Sequence, residues 1–319
     1  MASVLVQSAR RERSLSVLCS SVEEACEQWT RTFTEHTGVE VVMVRMSSGE
    51  ALTQVLRADG EFDVWHGGPS DLYEVARAHG QLVAHRSPQA AFVPARFKAR
   101  DGSWTGVYRG MLGFCSNRRV LDQLGVPPPR RWEDLLDKRL AGAVSMPDPR
   151  TSGTGWTMLW TLRQHTGSDE ATMQWLDRLQ PNVLQYTSSG VAPSGIVARG
   201  EAAVGVTFTQ HCVRAQDRGA QQLLVGHPQG ATGAETGAVA ILRSGSNDAL
   251  ARSYVDFSIS PASQAPAGDL AVQQLPTRSD VPTDPRLQLP AGTVELAPPD
   301  RTASRRQELV QAFDREVHP

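Results

Sequence analysis

The chain has 319 residues, of which 40% are hydrophobic and 21% are charged, and 32 basic against 34 acidic side chains leave a formal net charge of −2. This balance excludes a nucleic-acid binder of the usual kind, because phosphate backbones are held by an excess of Lys and Arg. The composition can bury large cores, and the length suits two lobes of roughly 100 to 200 residues each.

Predicted strands and helices alternate from residue 14 onward. Residues 15–18 and 39–44 are predicted strands, and apolar residues between them recur at helical spacing until Gly38 ends the helix. The same order continues with a helix at 51–56, a strand at 62–65 and a helix at 71–78. This alternation predicts a parallel sheet covered by helices.

A second series of elements follows the proline-rich residues 127–129. Its predicted strands are 143–146, 183–186, 202–208 and 223–225, its predicted helices include 154–165 and 196–199, and a closing helix at 305–317 follows a wrapping loop at 276–299. The chain is expected to leave the first sheet near 107–117 and to return near 237–242. We therefore predict an α/β fold of two Rossmann-like lobes joined by a two-strand hinge, with a ligand cleft between the lobes. The predicted lobe 1 is 14–110 plus 240–319, and lobe 2 is 111–239.

Hydroxyl side chains stand where predicted strands are followed by helices. The carboxyl ends of parallel strands lie at one edge of a sheet, and the first N–H groups and the dipole of each helix attract anions. These loops are therefore predicted to hold a phosphate-like group, although any one serine in such a place can equally be an ordinary N-cap. Arg109 and Arg150 are candidate cations for the same site. The candidate loop residues are Ser20, Ser21, Ser47, Ser48, Thr151, Ser152, Gly153, Thr154, Ser188 and Ser189.

Gln210, His211 and Cys212 follow the predicted strand 202–208. A histidine here can serve as a cation, a neutral donor or a metal ligand, and a catalytic Cys212–His211 pair is an alternative. No nucleophile motif accompanies the pair, so no enzymatic activity is predicted. The sequence has no CxxC or HxxxH spacing, and neither a metal site nor a cofactor is predicted. The four cysteines neither require nor exclude an oxidising compartment.

The sequence contains six short motifs: Ser47–Glu50, Phe62–Gly68, Gly113-Phe114 with Asn117, Pro147 with Thr151–Thr154, Gly200-Glu201 with Val204–Val206, and Gln274–Pro276. They occur in the order seen in periplasmic solute-binding proteins of ABC importers. The chain resembles the two-crossover, type II class of these proteins, in the branch that covers ferric-ion, sugar-phosphate and phosphonate binders, over roughly residues 14–285. The resemblance implies a ligand enclosed by hinge rotation and delivered to a membrane permease, without chemistry.

The resemblance also bears on the ligand. Ferric-binding relatives use two adjacent tyrosines, whereas the four tyrosines here are scattered along the chain and Thr209 to His211 stand in the usual place of the pair. Sugar-phosphate-binding relatives have a His-Asp pair there and a glutamate downstream, which Gln210-His211 and Glu235 match in position. The resemblance thus adds Gly68, Gln210, His211 and Glu235 to the predicted ligand-binding residues. A small phosphorylated organic anion is predicted, with a sugar phosphate first and a phosphonate second; ferric ion is the alternative.

The resemblance implies a periplasmic monomer that works with a membrane permease. A sensor subunit that presents the same ligand to a membrane kinase is a second possibility for the partner. Residues 1–21 lack the apolar core of an intact secretory signal, so export and an intracellular location both stay open from the residues alone. No apolar run approaches the roughly 20 residues that cross a bilayer, and a soluble chain is predicted.

Overall fold

A computed structural model describes residues 14–230, 232–265, 274–287 and 299–317. Their contacts form two compact units. Unit 1 takes the described residues of Met1–Arg109 and Thr236–Pro282, and unit 2 those of Gly110–Glu235 and Thr283–Pro319. Both units are built from strands and helices, and the predicted α/β fold is confirmed.

The elements alternate as expected along most of the chain. In chain order they are β1 (Ser14–Cys19), α1 (Glu23–Thr37), β2 (Glu40–Arg45), α2 (Ser48–Arg57), β3 (Val64–Pro69), α3 (Ser70–Ala78), β4 (Leu82–Val83), β5 (Thr105–Asn117), α4 (Arg118–Leu124), β6 (Val144–Pro147), α5 (Gly153–Thr166), α6 (Asp169–Leu179), β7 (Val183–Thr187), α7 (Ala192–Ala198), β8 (Val204–Phe208), α8 (Thr209–Asp217), β9 (Leu223–Gly226), β10 (Ala234–Leu242), α9 (Asp248–Ile259), α10 (Pro261–Gln264), β11 (Leu275–Pro276) and α11 (Pro299–Glu316). None of these described helices is both long and apolar enough to cross a membrane.

The sheet of unit 1 is centred on β1. This strand pairs in parallel with β2 on one side and β3 on the other, and β10 runs antiparallel to β3. Leu15, Val17 and Leu18 are fully buried, as expected for a central strand covered on both faces. Helix α1 ends where Gly38 adopts the left-handed conformation (φ 72°), which glycine reaches without steric cost.

The sheet of unit 2 is centred on β6 and β8. Strand β6 pairs in parallel with β7 and β8, while β5 runs antiparallel to both β8 and β9. The main core of this unit lies under α5 and α6, where Trp156, Leu159 and Leu176 are buried. The parallel strands β6, β7 and β8 place the starts of α5, α7 and α8 at the same edge of the sheet.

Helix α11 corrects the predicted lobe boundaries. Leu309 and Phe313 belong to the core of unit 2, and the Phe313 ring meets the edge of Tyr186 at 5.4 Å between centroids. The assignment of 240–319 to lobe 1 was therefore wrong for the described residues after Pro282. The sequence of an amphipathic helix at a chain end shows that the helix packs on a core, but it does not show which of two cores that is. The chain passes between the units within β5, within β10 and again after Pro282. The predicted wrapping loop lies outside the described residues from 288 to 298.

Candidate functional site

Loops from three parts of unit 1 converge on Gly68. A Cβ atom placed on Gly68 would lie 3.0 Å from Ser20 Oγ and 3.1 Å from Ser48 Oγ. Gly68 has a φ of 77°, which a glycine adopts readily and other residues avoid. Both serines are buried, and each stands between a strand of the sheet and the body of the next helix. The structure thus brings together Ser20, Ser48 and Gly68 of the predicted set.

The adjacent residues Ser20 and Ser21 have different hydrogen bonds. Ser20 Oγ accepts a hydrogen bond from Trp65 Nε1 at 2.6 Å and donates its proton to the carbonyl of Gly67 at 3.0 Å. Ser21 Oγ accepts a hydrogen bond from Gln274 Nε2 at 3.3 Å, a bond that does not use the serine proton. Because a hydroxyl has only one proton, Ser20 holds the loop in place while Ser21 keeps a donor for another acceptor.

Ser47 forms the N-cap of α2, which is the alternative role that the sequence left open for a serine before a helix. Its Oγ accepts from the backbone N–H of Glu50 at 3.4 Å, and its own N–H donates to Glu50 Oε2 at 3.0 Å. Hydrogen bonding of the Glu50 carboxylate to the side chain and the backbone of Ser47 lowers the pKa of Glu50, and the two residues form a capping box. Ser48, the first residue of the helix, is the one that faces Gly68.

Gly68 has an internal partner for its backbone amide. Its N–H donates to Tyr108 Oη at 3.1 Å, and the Tyr108 ring stacks on Trp29 at 5.9 Å between centroids. The contribution of Gly68 to the site is therefore the absence of a side chain, which lets two serines approach each other.

A similar convergence occurs in unit 2 around Gly190. A Cβ atom on Gly190 would lie 2.0 Å from Thr154 Oγ1 and 3.2 Å from Ser152 Oγ, so the loop after β7 lies against the start of α5. Ser152 is the N-cap of α5 and accepts from the N–H of Gly155 at 3.3 Å. Thr207 Oγ1 donates to the Gly190 carbonyl at 2.7 Å and fixes this loop on the neighbouring strand.

The remaining loop residues of unit 2 surround this point. Thr151 Oγ1 reaches the carbonyl of Ser188 at 3.5 Å, and the carbonyl of Ser189 accepts from Thr187 Oγ1 at 2.9 Å. Gly153 is buried as the first residue of α5, whereas Thr151 and Ser188 are exposed. The predicted residues after β6 and β7 therefore form one group.

Gln210 and His211 lie in the first turn of α8. The N-cap residue Phe208 provides no side-chain cap, and both polar side chains are buried. Gln210 Oε1 accepts from the N–H of Met111 at 3.5 Å, and the His211 ring lies 6.0 Å from the Phe208 ring between centroids. Glu235 is buried on β10, in the same unit.

The proposed Cys–His nucleophile pair was wrong. Cys212 forms a disulfide with Cys115, and Cys19 forms another with Cys26. A disulfide sulfur is not a thiolate and cannot attack a substrate in the way a catalytic cysteine does. The first pairing spans 97 residues, so only the folded chain reveals it.

The two candidate arginines already have protein partners. Arg150 binds Asp148 at 2.7 Å and Asp314 at 2.7 Å, and the hydrogen bond to Asp148 raises its pKa. Arg109 Nε donates to the carbonyl of Pro276 at 3.0 Å, and burial lowers its pKa.

The tyrosines are poor iron ligands. Tyr254 Oη bonds His66 Nδ1 at 3.0 Å, Tyr73 Oη lies 2.7 Å from the carbonyl of Gly67, and Tyr108 accepts from Gly68. Burial raises the pKa of Tyr254 and of Tyr186, which disfavours the phenolate form that iron requires. Among the described residues no group of three or more His, Cys, Asp and Glu could hold a metal ion.

Three residues of these sites were left out of the predicted ligand-binding set. Gly190, Tyr108 and Gln274 each contact a predicted residue, although Gly190 ends the segment Ser188-Ser189-Gly190 and Gln274 begins a motif of the resemblance. The glycine directly after Ser188-Ser189 was a usable signal. Nothing local links Gln274 to Ser21, which is 253 residues away in the chain.

Comparisons with known proteins agree with this architecture. Residues 69–290 match the family described as bacterial extracellular solute-binding protein. An uncharacterized protein of Haemophilus influenzae is 36% identical over 264 residues, which cover 81% of this chain and 76% of that protein. The periplasmic binding protein AfuA from Actinobacillus pleuropneumoniae, solved with fructose-6-phosphate bound, is 31% identical, with a TM-score of 0.87 over 95% of this chain and 98% of its own. The periplasmic binding protein P5PA is 27% identical, with a TM-score of 0.85 over 96% of this chain and 100% of its own.

These similarities confirm the resemblance to type II periplasmic solute-binding proteins of the sugar-phosphate, iron and phosphonate branch. Proteins of this kind bind small ligands and work with ABC permeases. The matched family covers more than half of the chain, and the chain belongs to the bacterial extracellular solute-binding protein family.

Proposed function

We propose that this protein binds a small phosphorylated organic anion, with a sugar phosphate as the first class and a phosphonate as the second. The observation that carries the proposal is the convergence of hydroxyl-bearing loops in each unit. Ser48 and the loop of Ser20 and Ser21 meet around Gly68, and Ser152 and Thr154 meet around Gly190. Helix N-termini attract negative charge, and hydroxyl protons add donors that can approach an oxyanion closely.

One ligand is proposed to contact both groups of hydroxyl side chains. Contacts that exist only in a closed form favour that form, so binding shifts the conformational equilibrium without any chemical step. Gln210, His211 and Glu235 are proposed to bind the hydroxyl groups of the carbon skeleton, because amide, imidazole and carboxylate groups offer both donors and acceptors. Fructose-6-phosphate bound to the 31% identical AfuA supports this ligand class.

The protein is proposed to act without catalysis, as a monomer in the periplasm that delivers its ligand to an ABC permease. The Cys115–Cys212 disulfide supports the absence of a cysteine nucleophile. Both disulfides also support an oxidising compartment such as the periplasm, where such bonds persist. The scattered and internally bonded tyrosines support a phosphate ester over ferric ion as the ligand.

A thermal-shift screen tests the proposal. Fructose-6-phosphate, glucose-6-phosphate, a phosphoglycerate, 2-aminoethylphosphonate, inorganic phosphate and ferric citrate are each added to the wild-type protein, with unphosphorylated fructose as the control. A ligand at 100 times its Kd stabilises the native state by about 2.7 kcal/mol, so the melting temperature should rise with a phosphate ester and not with fructose. A rise with ferric citrate alone would overturn the phosphate assignment.

A further inference from the structure

A small polar pocket of unit 1 lies beside Gln274. Its volume is about 20 Å³, and Gln274, Gln264 and Gln28 are among the residues that line it. A cavity needs at least about 10–15 Å³ and two or more polar partners to hold a water molecule. The pocket therefore has room for one water.

Two side-chain amides of this pocket have unsatisfied atoms. Gln264 Oε1 accepts from the N–H of Thr277 at 2.9 Å and from the N–H of Arg278 at 3.1 Å, which fixes the direction of its amide. Its Nε2 atom is buried and has no hydrogen-bond partner among the described residues, and the same is true of Gln274 Oε1. A buried donor and a buried acceptor that line one pocket are costly unless something bridges them.

The nitrogen of the Gln274 side-chain amide contacts the predicted ligand-binding loop. Its Nε2 donates to Ser21 Oγ at 3.3 Å. An amide turned the other way would present Oε1 to Ser21 and draw the serine proton to itself. The orientation of Gln274 thus decides whether Ser21 can donate to a ligand.

We propose that Gln274 is a positioning residue that directs the Ser21 hydroxyl toward an oxyanion, and that one water holds it in that orientation. The water accepts from Gln264 Nε2 and donates to Gln274 Oε1. Hydrogen bonds then run in one direction from the backbone N–H groups of Thr277 and Arg278, through Gln264, the water, Gln274 and Ser21, to the ligand. This inference rests on the proposed function, because a phosphate ester is the acceptor at the end of the chain.

A double-mutant cycle with fructose-6-phosphate as the probe tests the coupling. We expect Ser21→Ala and Gln274→Met each to raise the Kd about tenfold, and the double variant to bind no more weakly than Ser21→Ala alone, because Gln274 acts through Ser21. Gln274→Glu should weaken binding further than Gln274→Met, because a carboxylate accepts the serine proton and repels the anion. Gln28→Met, which changes a glutamine of the same pocket, is the control and should leave the Kd unchanged.

The failures of the two proposals are distinguishable. If wild-type protein binds neither the phosphate esters nor 2-aminoethylphosphonate, the proposed function is overturned. If wild-type protein binds fructose-6-phosphate and the effects of Ser21→Ala and Gln274→Met add, the inference is overturned. A high-resolution crystal structure supplies a ligand-independent readout: a water bridging Gln264 and Gln274 supports the inference, and direct contact between the two amides refutes it. Melting temperatures of the ligand-free variants verify that each one folds.

Discussion

The two units collect their hydroxyl groups in different ways. In unit 1 the groups come from separate loops, with Ser20 and Ser21 after β1 and Ser48 at the start of α2, all near the β3 end at Gly68. In unit 2, Ser152 and Thr154 both come from the start of α5. The site in unit 1 therefore depends on how several loops pack, whereas that in unit 2 depends on one helix start and the glycine beside it.

The same comparison shows that serines close to a helix start can have three different roles. Ser47 and Ser152 cap helices, Ser20 bonds its loop to the neighbouring strand, and Ser21 and Ser48 are proposed to face a ligand. The position of a serine relative to a helix does not predict which of these roles it has. The hydrogen-bond partner of its hydroxyl group does, and substitutions that change one partner at a time can test this distinction.

The largest expected difference between the units concerns their disulfides. The loop closed by Cys115 and Cys212 in unit 2 spans 97 residues, and that closed by Cys19 and Cys26 in unit 1 spans 7. From chain entropy, removing the first pair by alanine substitution should cost about 5 kcal/mol of unfolding free energy and removing the second about 2 kcal/mol. Urea unfolding without reductant measures both.

Removing the unit 1 disulfide should lower stability less than removing the unit 2 disulfide, but it should weaken ligand binding more. Cys19 and Cys26 bracket Ser20 and Ser21, so their removal frees the loop that carries the predicted donors. Equal losses of stability for the two double variants would contradict the entropic explanation. Unchanged affinity for fructose-6-phosphate after removal of the unit 1 pair would contradict the role of its loop.

Gly190→Ala tests the helix start of unit 2. The new Cβ would lie 2.0 Å from Thr154 Oγ1, so the threonine must move, and we expect a loss of about 1–3 kcal/mol of stability together with at least tenfold weaker binding of fructose-6-phosphate. Gly195→Ala is the matched control in the same unit, because its Cβ would meet only Arg199 Nη1 at 3.4 Å. Calorimetric titration and urea unfolding distinguish the two variants; similar behaviour would show that Gly190 is not special.

Unit 1 contains a buried histidine that should make its stability depend on pH. Burial lowers the pKa of His66 from its usual 6.5 to about 3, so the unfolded chain binds a proton between these values that the native protein does not. The contribution of neutral His66 to the unfolding free energy is therefore complete above pH 6.5. It is lost on acidification toward pH 3, at about 1.4 kcal/mol per pH unit within that window. His66→Gln should flatten this part of the curve of unfolding free energy against pH. An unchanged slope in the variant would assign the acid sensitivity to other groups.

Gly68→Ala tests the convergence of loops in unit 1. Both Gly68 and Gly80 have positive φ values, 77° and 69°, so alanine introduces backbone strain of about 1 kcal/mol at either position. Only Gly68 has neighbours, Ser20 Oγ at 3.0 Å and Ser48 Oγ at 3.1 Å, whereas nothing lies within 4 Å of a Cβ on Gly80. We expect Gly80→Ala to lose stability alone and Gly68→Ala to lose affinity as well. Equal affinities would refute the placement of the site.

The smallest expected effects separate two adjacent serines. Ser47→Ala removes the N-cap of α2 and should cost about 1 kcal/mol of stability with little change in affinity. Ser48→Ala removes a predicted ligand donor and should weaken binding of fructose-6-phosphate several-fold, with little change in stability. Urea unfolding and calorimetric titration of both variants test this prediction. Equal changes in stability and in affinity for the two variants would contradict the distinction between cap and donor.

The alternation of strands and helices was predictable from the sequence, because apolar periodicity and helix stops are local. Gly38, for example, ends α1 in the left-handed conformation that the pattern indicated. The hydroxyl residues at the helix starts were also local signals, since caps and loops follow strands at short spacing. The family resemblance rested on the same short motifs.

Only the tertiary structure decided which partner each of these groups has. Cys212 pairs with Cys115, Ser21 with Gln274 and α11 with the core of unit 2, all across long stretches of chain. Side chains such as Ser20 and Ser21 are equivalent in composition and neighbours in sequence, and their hydrogen bonds differ because different strands and loops lie against them. The sequence by itself determined the local elements and the supply of hydroxyl donors. The assignment of each donor to scaffold or ligand arose from packing, because a hydroxyl proton goes to whichever acceptor the folded chain brings within reach.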